Sequence, residues 1–402
     1  MHALILNIYY YPPDVAATSR IIRDLADFMA EKHDVTVLAG RPSYNPEEYH
    51  PYYLFRRRWQ GKVNVERVGS TAFHRRRMGG RATNFLLYLA FAFLRALFMR
   101  PKPDAIIAMT DPPVVNILAA VVSAMRRVPY VYNIRDLHPD GAIAAGMMKS
   151  GLVTKVWDRL HRWAMLRADL VIVLGEDMKQ RVLDKGVDPG RVEIVRDGAT
   201  AFEAATEPDH PVIREIRGDF DFVVVYGGNL GSTGHWDALL YAARCLEPEG
   251  VGFVFIGDGV LRQSLEQQAQ GLGNVRFLPF YPEENLSQVL GAADLHAVTL
   301  KPGLEGLSVP SKLYPILMAG RPVLAITPLA SDAAHIVRKY KCGVVADPDK
   351  PDQLVASMRR VLSCPQALEE MASQARDVSH LFDRNREFGR FLKLIEQVGG
   401  RR

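Results

Sequence analysis

Short apolar runs alternate with amphipathic stretches along almost the whole chain. In the first half, near-continuous apolar runs at 3–8, 34–38, 104–108, 130–134, 170–174 and 192–195 read as strands covered on both faces. Between them, residues 19–32, 84–99, 115–126, 152–167 and 178–185 carry apolar positions at helical spacing. The stretch 199–212 (ATAFEAATEPDHPV) has two prolines, three acids and no apolar period, and it reads as a linker. A fresh alternation follows. Strands are predicted at 222–226, 252–256, 275–278, 295–298, 323–326 and 343–346. Helices are predicted at 236–245, 261–270, 286–292, 311–318, 333–339 and 353–362, and the tail 367–396 is helical by pattern. Strand–helix alternation argues for parallel sheets built from βαβ units. The expectation is an α/β chain of two tandem Rossmann-like, doubly wound domains facing across a cleft. The first would span 1–200 and the second 213–380, with a helical tail over 381–402 packing back toward the first.

One run breaks the pattern. Residues 85–94 (FLLYLAFAFL) have tyrosine as their only polar side chain, and the run lies inside a strongly basic region. Between His50 and Lys102 there are twelve Lys/Arg against the single acid Glu66, a local charge of +11. The net charge of the chain is +5, so the remainder carries −6. A spanning helix needs about 20 apolar residues, and this run is shorter and interrupted by Arg95. Basic triplets at 56–58 and 75–77 flank it, as a protein docked on anionic lipid would require. The predicted docking segment is 56–99, with Arg57, Arg76, Phe85, Leu86, Phe91 and Phe93 meeting the anionic membrane surface or the acceptor. A core helix covering one face of a sheet is the plainer alternative.

Composition narrows the class further. The chain has 402 residues, 48% hydrophobic and 24% charged, which suits a folded protein of two domains and excludes a collagen-like, disordered or coiled-coil chain. Its three cysteines, Cys245, Cys342 and Cys364, form no CxxC pair and no Cys/His cluster, so neither a disulfide framework nor a metal site is expected. No secretory leader is read at the amino end. A nucleic-acid platform is not expected either, because the basic region is interleaved with an apolar run rather than with stacking aromatics on a polar surface.

Candidate chemistry gathers where predicted strands end. The loop YYYPPDVAAT (9–18) precedes a helix, where free N–H groups favour an anion; it equally serves to shape a turn, and it carries no GxGxxG. After the strand at 130–134, Asp136 and His138 follow at once, placed to hydrogen-bond a sugar hydroxyl or to handle a proton. The second domain opens with YGGNLGSTGH (226–235), whose Gly228, Asn229, Gly231 and His235 are candidates to face a diphosphate. IGDGVLR (256–262) repeats the theme with Gly257 and Arg262. The densest segment is KPGLEGLSVPSKLYP (301–315). There Glu305 sits in a glycine-containing turn, and Lys312 is predicted in the first turn of a helix, where the dipole disfavours a cation. That conflict points to a bound anion.

Taken together, YGGNLG, IGDGVLR and EGLSVPSKLYPILMAGRPV resemble the retaining glycosyltransferases of family 4, which have the GT-B fold. The resemblance covers nearly the whole chain. Within the family it is most similar to bacterial enzymes of surface-polysaccharide synthesis that add an N-acetylated amino-deoxy sugar to a polyprenyl-diphosphate-linked acceptor. It implies a nucleotide-sugar donor, a UDP-sugar above all, held mainly by the second domain, and a lipid-linked glycan acceptor held by the first. The enzyme would be cytoplasmic, peripheral on the inner membrane face, with no cofactor and no obligatory metal. Glu305 resembles the glutamate that binds donor-sugar hydroxyls. The backbone of Leu307, Ser308 and Val309 would meet the diphosphate, Arg262 and Lys312 would be its counter-charges, and Phe280 within 278–281 would frame the base. Asp136 and His138 would lie near the reacting carbon. Three positions depart from the family pattern: Ala16 and Ala17 replace paired glycines, Ser232 and His235 replace an Arg and a Lys, and Leu313 or Pro315 falls where a second glutamate holds the ribose. A nucleotide-sugar 2-epimerase of the same architecture, or a non-catalytic homologue binding lipid or a partner, are the competing expectations.

Overall fold

The computed structural model describes residues 1–14, 17–42, 54–69, 71, 73, 78–202, 204–205 and 207–400. Two parallel sheets organise them. The first half of the chain runs β1 (His2–Leu6), α1 (Ala17–Ala30), β2 (Asp34–Gly40), β3 (Phe55–Gln60), β4 (Val63–Val68), α2 (Met78–Phe98), β5 (Ala105–Ala108), α3 (Val115–Arg126), β6 (Tyr130–Asn133), α4 (Asp140–Ala144), α5 (Leu152–Met165), β7 (Leu170–Val173), α6 (Glu176–Asp184) and β8 (Val192–Ile194). Its eight strands are ordered β3-β4-β2-β1-β5-β6-β7-β8, and only β3 is antiparallel to its neighbour. The second half runs α7 (Pro211–Arg217), β9 (Phe222–Gly227), α8 (Trp236–Leu246), β10 (Val251–Ile256), α9 (Arg262–Gln268), β11 (Val275–Leu278), α10 (Leu286–Gly291), β12 (Leu295–Thr299), α11 (Leu313–Met318), β13 (Val323–Ile326), α12 (Asp332–Tyr340), β14 (Gly343–Ala346), α13 (Pro351–Leu362), α14 (Pro365–Ser379) and α15 (Arg384–Gly399). Its sheet is ordered β11-β10-β9-β12-β13-β14 and is parallel throughout.

Alternation along each strand feeds two cores. In β1, Leu4 and Leu6 point into one cluster with Tyr88, Ala92 and Ala119, while Ala3 and Ile5 point into another with Ile22, Met29, Phe391 and Ile395. Helices α2, α3 and α5 therefore cover one face of the first sheet, and α1 and α15 cover the other. α15 thus packs through Phe388, Phe391, Leu392, Ile395 and Val398 beneath β1 and β5, after its chain crosses the end of the first domain where Ala199 pairs with Asp383.

The basic region is more structured than its composition suggested. It holds an antiparallel hairpin, β3–β4, turning at Gly61-Lys62. Three successive arginines conceal the period-2 pattern, so this pair was not predicted. Arg57 is half exposed, and its inner edge is bonded within the domain. Its Nε donates to the buried carboxylate of Glu66 at 2.9 Å, and Arg95 of α2 closes on the same group at 2.7 Å. Burial would raise the Glu66 carboxyl, but the bonds from Arg95 and Arg57 outweigh it and hold the group below its usual range.

The apolar helix α2 is anchored to the domain along one side and open along the other. At 21 residues it is long and apolar enough to cross a bilayer by length and composition, yet it is one layer of the domain. Tyr88, Ala92 and Ala96, spaced by four, are buried against β2, β4 and α3. Phe85, Phe91 and Phe93 are half-buried and pack partly against that core. Of the predicted contacts on this helix, only Leu86 stands out, 69% exposed, continuing a stripe with Leu94 and Phe98. Arg76 lies outside the described residues.

Candidate functional site

In an open parallel sheet, ligands bind beyond the carboxyl ends of the strands where the strand order reverses. In the second sheet that point lies between β9 and β12. The loops concerned are 227–235 and 300–312, which hold most of the predicted donor residues. In the first sheet it lies between β1 and β5, with β6 alongside.

Lys312 is the centre of the second-domain loops. It sits at the N-cap of α11 with φ −61° and ψ −23°, one residue before the helix rather than in its first turn as predicted. Its ammonium donates to the Tyr226 hydroxyl and lies 4.0 Å from the centre of that ring. Its partner among the described residues is that neutral hydroxyl and not a carboxylate, and burial lowers it to about 7. Its chain crosses directly over Gly228, where a Cβ would overlap the Lys312 Cε. Gly228 also has φ +135°, a region open in practice only to glycine.

Gly228 and Gly257 are each required by the other's loop. The Gly228 N–H donates to Ile256 O at 2.7 Å, and a Cβ on Gly257 would overlap Gly228 O. The two loops interlock backbone to backbone. Four amides remain: those of Asn229, Gly231, Ser232 and Thr233 have no acceptor among the described residues. His235 stands beside them at the N-cap of α8, its Nδ1 buried and unpartnered. Gly228→Ala should therefore cost about 1–3 kcal/mol in stability and displace Lys312. Thermal unfolding with and without UDP checks both effects, and an unchanged UDP response would show that the lysine tolerates the shift.

Two predicted counter-charge assignments change. Arg262 does not face the cleft; its guanidinium bonds the carbonyls of Gly257, Leu278 and Phe277 and pairs with Glu266 at 2.8 Å. It braces the loop that presents Phe280, whose ring is 59% exposed and touches the Gly257 position. The amides of Leu307 and Ser308 are not offered to a diphosphate either, because both donate to Leu304 O, at 3.0 and 3.3 Å, within their own turn. Val309 packs against the first-domain core. The carboxylate of Glu305 accepts the Gly303 N–H at 2.9 Å and lies 3.7 Å from Arg181 of α6.

The first domain meets this turn directly. Leu137 N donates to Leu307 O at 2.9 Å, and Asp136 bridges to Ser308. His138 stacks on Trp157, with ring centres 5.9 Å apart, and its Nδ1 is buried without a partner. Burial lowers its pKa, against the opposing pull of Asp136 and Asp140. The structure thus brings Asp136 and His138 to the same seam as Glu305.

Two groups of residues were missed. Asp111, just beyond β5, accepts from Thr18 at 3.4 Å, and burial, reinforced by Asp136, raises its carboxyl to about 6. Its position in TDPP immediately after a strand was the available signal. The second group is a seam joining α6 and α12. Asp332 accepts the Glu176 N–H at 3.0 Å, Asp177 accepts the Asp332 and Gly306 N–H groups at 3.0 Å, and Arg196 pairs with Asp332 at 2.8 Å. Each helix start is capped by a carboxylate from the other domain.

Comparison with known proteins agrees with this architecture. Residues 16–198 match the glycosyl transferase 4-like domain, and residues 213–378 match the glycosyl transferases group 1 domain. WcaI of Escherichia coli K12, assigned to colanic acid biosynthesis as a glycosyl transferase, is 24% identical over 388 residues, covering 88% of this chain and 91% of its own. WbjE of Pseudomonas aeruginosa, described as a glycosyltransferase, is 26% identical over 271 residues, covering 66% and 68%. Among solved structures, Anabaena HepE in complex with UDP and glucose superposes with a TM-score of 0.70 at 19% identity, covering 98% of this chain and 99% of that one. WaaG, a glycosyltransferase of lipopolysaccharide biosynthesis, gives 0.67 at 17% identity, covering 98% and 99%.

Proposed function

The chain is a GT-B glycosyltransferase built from a 4-like and a group 1 domain, and from that premise we propose that it moves a sugar from a UDP-sugar to a lipid-linked acceptor during synthesis of a bacterial surface polysaccharide. The observation that carries the reading is Lys312, a half-buried ammonium with no carboxylate partner among the described residues, set beside the unspent amides of 229 and 231–233 and His235 at the reversal point of the second sheet. A diphosphate is the group that would satisfy all of them. The UDP complexes of HepE and the polysaccharide and lipopolysaccharide roles of WcaI and WaaG support the same donor and product class.

In this reading, Phe280 offers a face to the base, and Lys312 with the amides of 229 and 231–233 stabilises the departing diphosphate without a metal. Glu305 holds donor hydroxyls at the seam, where Asp136 and His138 bound the acceptor side. Closure of the first domain on the 304–308 turn excludes water from the reacting centre. The exposed Leu86, Leu94 and Phe98 stripe of α2 is the part of the first domain suited to contact a cytoplasmic membrane surface. We extend the reading to retention at the anomeric carbon, which the family-4 resemblance implies, and the product's anomeric proton coupling tests it.

The primary test is thermal unfolding against UDP, GDP, ADP and dTDP, with and without EDTA. A ligand that binds only the folded state at a hundred times its dissociation constant adds about 2.7 kcal/mol. A shift with UDP, unchanged by EDTA, is expected. No shift with any nucleotide in folded protein would overturn the donor assignment.

A further inference from the structure

A second apolar surface stands on α5, the helix that follows the loop of Asp136 and His138. Leu152 and Val153 are 79% and 75% exposed, and Val156 and Leu160 are 51% and 46% exposed. Residues 152, 156 and 160 are spaced by four, so they form one line along the helix, with Val153 beside it. Met147 and Met148, just before α5, are exposed as well. The buried side of the helix is a different one, made by Thr154, His161, Ala164 and Met165. Single exposed apolar residues are ordinary, but a contiguous patch marks a surface that meets something.

The same stretch is basic. From Met147 to Arg167 the chain carries Lys149, Lys155, Arg159, Arg162 and Arg167 against one acid, Asp158. That acid is already spent on Lys185 at 2.7 Å. Lys149, Lys155 and Arg159 are exposed, and the last two are also spaced by four, so they run alongside the apolar line. Near its end, Arg167 lies over the ring of Trp163, 4.3 Å from its centre.

We propose that the outer side of α5 is a docking surface for an anionic phospholipid bilayer. An apolar line flanked by cations is what the boundary between headgroups and acyl chains accepts: the aliphatic groups enter the apolar layer, and the long basic side chains reach the phosphates. A second copy of the chain fits less well, because it would bring the same excess of positive charge against this face. The surface also continues the exposed stripe of α2. Helices α2, α3 and α5 cover one face of the first sheet, so their outer sides turn away from it together, and Met125 of α3 is exposed between the two stripes. The inner side of α5 reaches the seam. Trp157 stacks on His138, and Lys185 ties Asp158 of α5 to Asp140 of α4. A bilayer seated on α5 therefore lies across the helix from the acceptor side. The proposal deepens the transferase reading and rests on it for one point, that the acceptor is carried by the same membrane.

The test is flotation of the full chain with vesicles of phosphatidylcholine alone and of phosphatidylcholine with phosphatidylglycerol. Wild type should float with the anionic vesicles, less as salt rises. V156D/L160D should bind them at least tenfold more weakly. K155Q/R159Q, which leaves the apolar line intact, should lose about thirtyfold, on the order of fivefold per charge. Both variants should melt with wild type, because the altered side chains are exposed. L86D/F98D on α2 should weaken flotation further when combined with either. Equal flotation of wild type and both α5 variants, or a loss confined to L86D/F98D, overturns the proposal. Equal binding of wild type to the uncharged vesicles overturns the anionic commitment. A wild-type dimer in sedimentation that V156D/L160D dissolves assigns the face to a second copy instead. UDP binding is measured in every variant without vesicles, so failure of the donor assignment is distinguishable from failure of the docking surface.

Discussion

Lys312→Met should lose UDP binding by at least a hundredfold while raising the thermal midpoint of the ligand-free protein. The two effects share a cause. Burial lowers the Lys312 ammonium to about 7, so the folded protein sheds that proton at a pH where the unfolded chain keeps it, up to about 10.4. The unfolded state then binds more protons across that window, and stability rises with pH through it. The cost of holding the charge is full below pH 7 and fades above. Discounted for partial exposure it is roughly 3 kcal/mol, and methionine removes it. Binding should follow the opposite course. Once a diphosphate lies beside the ammonium, its pKa climbs, so binding above 7 takes up a proton. UDP affinity in wild type should fall by up to tenfold per unit between about pH 7.5 and 9.5, where UDP itself is fully charged, and the variant should show no such slope. Calorimetry across that range, in buffers of different ionisation heat, measures the proton uptake directly. A flat affinity profile in wild type, or retained affinity in the variant, would remove Lys312 from the diphosphate site.

What the chain revealed before folding depended on how local each signal was. Parallel strands covered on both faces announce themselves as apolar runs, so twelve of them were legible within a residue or two, and with them the GT-B architecture. The hairpin was not, because Arg56, Arg57 and Arg58 are alike in composition and only the ladder decides their faces. Arg57 was chosen as the surface contact and lies against Glu66, while Arg56 and Arg58 stand on the other face of the hairpin. Glu66, the lone acid among twelve cations, was the trace of that inward face. Lys312 stands out in sequence as a cation near a helix start, and it lies one residue before α11. Arg262 was misread because a motif reports residue type and not the direction of its side chain. The glycines at 228 and 257 were assigned to a ligand, and each is also required by the other's loop. Contacts between residues far apart in the chain leave no local mark at all, and the seam between α6 and α12 is of that kind, its partners 156 positions apart.

That seam carries the second large expectation. Asp332→Ala should cost about 3–5 kcal/mol, because the Asp332 carboxylate is buried and answers two demands at once. Its carboxylate accepts the N–H of Glu176 and neutralises Arg196, while its backbone N–H, which alanine keeps, donates to Asp177. Without it Arg196 is left half-buried and unpaired, and α6 loses its cap. The donor loops lie on the second sheet with Lys312, so UDP affinity should stay within a few-fold of wild type. Turnover should fall far more, because the 304–308 turn is held against the first domain by Asp177 and by Leu137. Solution scattering should report a larger radius of gyration. Asp177→Ala should act in the same direction, since its carboxylate caps α12 and holds Gly306. Because the two caps are reciprocal, the double variant should lose less than the sum of the singles, with a coupling of about 0.5–3 kcal/mol. Strict additivity, with turnover and radius unchanged, would mean that the two carboxylates stabilise their own helices and do not set the distance between acceptor and donor.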